Sequence, residues 1–225
     1  MYSDTFENDL QKLIYNATAI ANLADNAATS PLTQLAVALH TSDPGETGTM
    51  STNEASYTGY ARVNVNRNSG GWTVTGNSVS PAANIDFGQR TDNGAAVVCT
   101  HFSVGFTGGG ASKVINRGVI GSVTGPFTAA VSGNLFTQPG HGLSVGDRVC
   151  FYPTDGSSLP TGVTAGTVYW VVSVSGDTYT VSTTSGGASI TVSASGDGIG
   201  YKVSPITINL NSIPRLTTSS AVTVD

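Results

Sequence analysis

The sequence predicts an all-β protein: a β-sandwich, jelly-roll-like core with an N-terminal helix and an inserted small β domain. Three observations lead there. Short apolar or alternating runs recur between turn residues from Pro31 onward, as they do in sandwiches and barrels. Polarity comes from Gly, Ser, Thr and Asn: charged residues are only 10% of the 225, against about a quarter in ordinary soluble domains. Helical periodicity is confined to one stretch near the N-terminus. There Phe6, Leu10, Leu13, Ile14, Ala17 and Ala21 recur at spacings of three and four over residues 4–26. Asp4 and Glu7 form a capping-box pattern, and Asn26 with Ser30-Pro31 closes the segment. The apolar stripe suits either of two jobs, covering an open end of the β core or docking on a neighbouring subunit. Phe6, Leu10, Leu13 and Ile14 are therefore the candidate subunit interface.

The most informative stretch follows. Leu35-Ala36-Val37-Ala38-Leu39-His40 is an apolar strand that runs into Asp43-Pro44-Gly45. Pro44 presets one turn dihedral there and Gly45 tolerates the other. After a polar loop comes Gly59-Tyr60-Ala61-Arg62-Val63. Strands are expected near 33–40, 59–67, 71–75, 83–87, 96–106 and 113–120. Trp72, after Gly70-Gly71, caps or enters the core. In His101–Phe106, alternation sends Phe102, Val104 and Phe106 to one face and His101 and Ser103 to the other. Leu35, Val37, Leu39, Tyr60, Val63, Val65, Phe87, Phe102, Val104 and Phe106 are the expected core.

Composition shifts near Val123. Residues 124–203 form the expected inserted β module, projecting outward. Residues 1–123 and 204–225 form a discontinuous core, closed by strands at Ile206–Leu210 and Ala221–Val224.

The net charge is −5 and no run of Lys or Arg occurs, so no direct nucleic-acid contact is expected. Cys99 and Cys150 lie in apolar runs without metal-ligand spacing and read as buried thiols. Asp4, Glu7 and Asp9 do not make a signal peptide, and no apolar stretch approaches membrane-spanning length, so synthesis in a cytoplasm without membrane contact is expected.

Catalytic chemistry needs a constellation, and none is visible. His40 and His101 sit on strands that could be neighbours, yet no Cys or Glu completes a metal site. Asp43 and Glu46 lie in a turn, where Asp supports the backbone. Gly108-Gly109-Gly110 lacks the Lys-Ser/Thr of a phosphate loop. Asp155, Asp177 and Asp197 sit in turns that could bind calcium, although turn carboxylates more often bond the backbone. The expectation is no enzyme, no catalytic residue, no metal and no cofactor.

The stretch 35–63, with Ile85-Asp86-Phe87-Gly88 and Thr100-His101-Phe102-Ser103-Val104, resembles a family of small tailed-bacteriophage virion proteins, described as tail-fibre-like or head-associated. Related β-sandwich proteins resemble capsid cement (decoration) proteins. In typical members the strand pair passes directly to a short terminal segment; here residues 124–203 interrupt that point. The insert has its own resemblance. His141-Gly142-Leu143-Ser144-Val145-Gly146-Asp147, Leu159-Pro160-Thr161-Gly162 and Thr167–Val172 are similar to a small β module of phage tail, fibre and head-fibre proteins. There Gly142 and Gly146 permit tight turns and Asp147 bonds the local backbone.

The resemblance implies a virion structural protein on the outer surface of head or tail. The favoured expectation is a cement protein that bridges capsid subunits, with the major capsid protein and copies of itself, as a homotrimer, for partners. The alternative is a tail or tail-fibre component engaging a host surface ligand, which predicts an exposed aromatic patch at Tyr152, Tyr169 and Trp170.

Overall fold

The structure is a computed structural model that describes residues 2–3, 5–6, 8–10, 19–21, 23, 32–75, 78–106 and 113–223. It is all-β. The chain divides into two compact units, Met1–Gly118 with Ile206–Asp225, and Val119–Pro205. The first unit carries β1 (Gln34–His40), β2 (Val63–Asn66), β3 (Trp72–Thr75), β4 (Ser78–Pro81), β5 (Ile85–Asp86), β6 (Val97–Cys99) and β7 (His101–Phe106). It ends in β8 (Lys113–Val119), which reaches the unit boundary. The second unit contains β9 (Gly121–Ala130), one 3₁₀ turn at Ser132–Asn134, β10 (Leu135–Thr137), β11 (Arg148–Tyr152), β12 (Tyr169–Ser175), β13 (Thr178–Ser182) and β14 (Gly196–Val203). The chain then re-enters the first unit as β15 (Ile206–Ile208), β16 (Arg215–Leu216) and β17 (Val222–Thr223).

In the first unit the main sheet has the order β2-β1-β7-β8. Its centre is the antiparallel β1–β7 pair, with Ala36 opposite Gly105, Ala38 opposite Ser103 and His40 opposite His101. Both faces of this pair are covered. Phe106 and Ile115 pack with Phe6 and Ile20, while Ala36, Ala38, Val114 and Met50 form a second cluster. Gly105 admits Met50: a Cβ there would stand 2.7 Å from its sulfur and 2.0 Å from the Lys113 carbonyl oxygen. The returning segment pairs with three earlier strands: β15 with β6, β16 with β5, and β17 with β4.

Three details differ from the sequence-based expectations. Residues 5–6 and 8–10 are helical, but Ala19 and Ile20 are not, so the helix does not run to Asn26. Asn16 and Thr18 are weak helix formers, and Ile20 is buried against Phe6, Phe106 and Ile115. Asp4, Glu7, Leu13, Ile14, Ala17 and Asn26 lie outside the described residues, as do Gly108–Gly110. The expected 59–67 strand begins only at Val63, because Tyr60 and Arg62 are engaged in side-chain bonding described below. The expected 96–106 strand breaks at Thr100, where the chain changes partners. Its N–H donates to His40 O at 3.0 Å and its Oγ1 to Thr41 O at 3.0 Å. Cys99 thus pairs toward β15 while His101 pairs toward β1.

The second unit is a closed six-stranded barrel, order β10-β13-β12-β11-β14-β9, with β9 returning to pair with β10. Aromatic side chains fill it. Phe151 contacts Phe127 and Phe136 at centroid distances of 4.8 and 5.0 Å, and Phe136 stacks on Tyr179 at 5.5 Å. Val149, Val171 and Val181 complete the packing. Fully buried Gln138 satisfies the Tyr179 hydroxyl at this centre. Its Oε1 accepts from Tyr179 O–H at 2.9 Å, and its Nε2 donates to Thr124 Oγ1 and Gly125 O. The turn before β11 has Gly146 at φ 93°, and Asp147 accepts from Ser144 N–H at 2.8 Å and from Lys202 Nζ at 2.7 Å. Strand β14 runs through Gly198, where a Cβ would stand 2.4 Å from Tyr152 O, so its glycines let two strands approach.

Phe136 is fully buried at the meeting point of three aromatic rings. Phe136→Ala is expected to cost about 3–5 kcal/mol, measured as a lowered urea midpoint of the transition reported by Trp170 fluorescence in a Trp72→Phe background.

Candidate functional site

The residues that sequence analysis singled out on either side of the Asp-Pro-Gly turn converge on one polar centre. At its base Arg117, on β8, has a side chain only 3% exposed. Its Nη1 donates to both Asp43 carboxylate oxygens, at 2.8 and 2.6 Å, and its Nη2 pairs with Glu46. Asp43 Oδ1 also accepts from Gly45 N–H at 2.9 Å, so one carboxylate shapes the turn and neutralises the guanidinium.

The loop beyond the turn folds back along β1. Asn53, at φ 54°, donates from Nδ2 to Asp43 O at 2.9 Å. Thr41 N–H donates to Asn53 O and Ala55 N–H to Leu39 O. Tyr60 O–H then donates to Glu54 Oε1 at 3.1 Å while its oxygen accepts from Leu39 N–H at 3.1 Å. Arg62 grips both oxygens of Glu54 at 2.7 Å. Burial raises the Tyr60 phenol well above its ordinary range, with Glu54 adding to the effect, and the Glu54 hydrogen bond raises Arg62.

His40 and His101 face each other across β1 and β7, both fully buried. His40 Nδ1 lies 2.8 Å from Thr52 O, which can only accept, so Nδ1 carries the proton. Nε2 then accepts from Ser103 Oγ at 2.7 Å. Thr100 Oγ1, already donating to Thr41 O, accepts from His101 Nδ1 at 2.8 Å. Burial lowers His40 below 6.5, and burial moves His101 down to about 4. The Ser103–His40 pair has the hydrogen bond of a nucleophile and base, but both side chains are sealed between strands and no substrate atom reaches the Ser103 hydroxyl. Among the described residues no group of three or more His, Cys, Asp and Glu could hold a metal ion. Cys99 and Cys150 are free and buried, and burial pushes the Cys99 thiol up to about 12. The arrangement does mechanical work: it locks a long loop onto a sheet.

The candidate subunit-interface residues fall in different places. Phe6 packs with Ile20, Phe106 and Ile115, and Leu10 is exposed. Asp9 beside it pairs with Lys113 on β8. Leu13 and Ile14 lie outside the described residues. The aromatic patch expected on the inserted module is not exposed. Tyr169 lies inside the barrel, Tyr152 is buried on its outer side with Cys150 and Val203, and Trp170 lies under the Arg148 guanidinium at 4.4 Å. Alternation along β11 and β12 explains this, because residues facing out of the barrel meet a second apolar layer. The buried arginines were missed by sequence reasoning. Arg90, 2% exposed, donates to Ile208 O at 2.9 Å and to Asp92, and Arg117 is equally enclosed. Arg117 carried one sequence signal, an Arg within the largely apolar run of β8, whereas Arg90 sits in the polar stretch Gly88–Gly94, outside any strand, and carried none.

Residues 11–111 match the family model described as Podophage GP4 fiber I protein gp80. The match takes in β1 to β7, including the turn and the loop locked by Arg117, and ends before the inserted barrel. No curated protein matches the chain. The family match supports a phage virion structural protein.

A histidine held neutral by folding binds its proton only after unfolding once the pH lies below 6.5. Stability carried by His40 and His101 is therefore full above pH 6.5 and declines as pH falls below it, for His101 down to about 4. For His101 the loss across that window is about 3 kcal/mol. Urea midpoints measured by Trp72 fluorescence in a Trp170→Phe background are expected to fall across it and to fall less in His101→Gln. A midpoint independent of pH there would contradict the burial account.

Proposed function

We propose that this chain is a structural subunit of a phage fibre that assembles with copies of itself on the outside of the virion. The match of residues 11–111 to a podophage fiber protein family carries the reading. Three features support a mechanical role. The turn and loop within the matched stretch are tied to the sheet by ion pairs and hydrogen bonds. The histidines are enclosed between strands. The inserted module is a barrel packed solid with aromatic rings, which suits a rigid spacer or contact element. Fibre assembly needs each subunit to hold its shape while making repeated contacts, and these features suit that demand.

The cement role favoured from sequence would place the same chain on the head, against the major capsid protein. Quantitative mass spectrometry of purified particles separates the two placements. The fibre reading predicts copy numbers far below that of the major capsid protein. A ratio near parity would overturn it in favour of head decoration, and absence from the particle would overturn both.

A further inference from the structure

Between β5 and β6 lies the dipeptide Asn93-Gly94, and no other Asn in the chain precedes Gly. Both residues are exposed, in irregular backbone, and the Asn93 side chain makes no hydrogen bond among the described residues. Its carboxamide is therefore free to turn back on its own chain. Several other asparagines are held by the fold. Asn68 Oδ1 accepts from Gly70 and Gly71 N–H, Asn134 Oδ1 from Val192 N–H, and Asn84 Oδ1 from Thr218 N–H. Gly94 hinders its own backbone nitrogen least, because it has no Cβ and its chain turns freely.

That nitrogen is placed to close a five-membered ring. It attacks Asn93 Cγ and a C–N bond forms. The Cγ–Nδ2 bond breaks, and ammonia leaves with the proton that Gly94 N–H gives up. Water then opens the succinimide at either carbonyl, leaving aspartate or isoaspartate at position 93. One contact opposes the closure. Gly94 N–H donates to Asp92 Oδ1 at 3.1 Å, and Asp92 is itself fixed, accepting from Thr58 N–H at 2.7 Å and from Arg90 Nε at 3.0 Å. The attacking nitrogen has to leave this bond and lose its proton beside a carboxylate. We propose that Asn93 is a site of spontaneous deamidation through a succinimide with Gly94, and that Asp92 restrains its rate. The inference holds whether the chain serves in a fibre or on a head. Either product sets a second carboxylate beside Asp92, and isoaspartate also adds one carbon to the main chain. Both changes fall next to Arg90, which holds Ile208 O of the returning segment.

The test holds the full chain at neutral pH and follows it by peptide mapping with mass spectrometry, which reads the replacement of NH2 by OH. A time-dependent gain is expected on the peptide carrying Asn93, as both aspartate and isoaspartate, ahead of any at Asn68 or Asn211, which precede Ser. Gly94→Ala, which shields the nitrogen, is expected to slow the gain severalfold. Asp92→Ala is expected to speed it severalfold. Asp92 also holds Thr58 and Arg90, so should that variant fail to fold, the chain unfolded in urea takes its place and is expected to react severalfold faster than the folded chain. The proposal is overturned by no gain at Asn93, by an earlier gain at Asn68 or Asn211, or by an unchanged rate in Gly94→Ala. An unchanged rate in folded Asp92→Ala, or in the unfolded chain that replaces it, also overturns it.

Discussion

Arg117 is a permanently charged group taken almost wholly out of water, and the first unit is organised around neutralising it. Desolvating a guanidinium costs several kcal/mol unless opposite charge and hydrogen bonds meet it. Asp43 meets it with two oxygens and Glu46 with a further one. Both carboxylates sit at the start of the long loop after β1, so satisfying the charge fixes where that loop begins. Once Asp43 is placed, Asn53 binds its carbonyl, Thr41 and Ala55 complete a backbone ladder, and Tyr60 and Arg62 close on Glu54. Met50, carried on the same loop, is delivered against Gly105. An ion pair of this kind adds little net stability over an apolar substitute, but it penalises every arrangement that leaves one partner alone.

The barrel is built on a different balance. Its centre is aromatic, and the buried side chain of Gln138 is satisfied by bonds to Tyr179, Thr124 and Gly125 at both ends of its amide. Glycines supply the close strand approach at β14, and the Asp147–Lys202 pair closes the turn ahead of β11. One unit is thus held in register by buried polar groups, the other chiefly by ring packing.

The strands legible in the sequence were those whose apolar residues alternate or run together, among them β1, β3, β7, β8, β12 and β15. Val37, Leu39, Phe87, Val104 and Phe106 are buried as their patterns imply, whereas Leu35, Tyr60, Val63, Val65 and Phe102 are half-buried. Strand β4 was hidden by Pro81, and β14 by the three glycines of Gly196–Val203, which look like turn residues until their neighbours are known. The two-residue β16 is too short to carry a period. His40 and His101 were legible as strand residues and possible neighbours. Their full burial was not, because it depends on strand pairing and on Thr52 and Ser103 reaching His40 from other segments. The Arg117 centre was illegible because its partners are distant in sequence, Asp43 lying 74 residues away.

The family match covers the stretch in which this centre is made, apart from Arg117 itself, which follows at the end of β8. The central claim, that Arg117 holds the loop on the sheet, is tested most directly by native-state hydrogen exchange on Arg117→Met. The account predicts that Thr41 and Ala55 amides, which donate to Asn53 O and Leu39 O, lose most of their protection, while barrel amides such as Val171 keep theirs. Unchanged protection of Thr41 and Ala55 in the folded variant would contradict it.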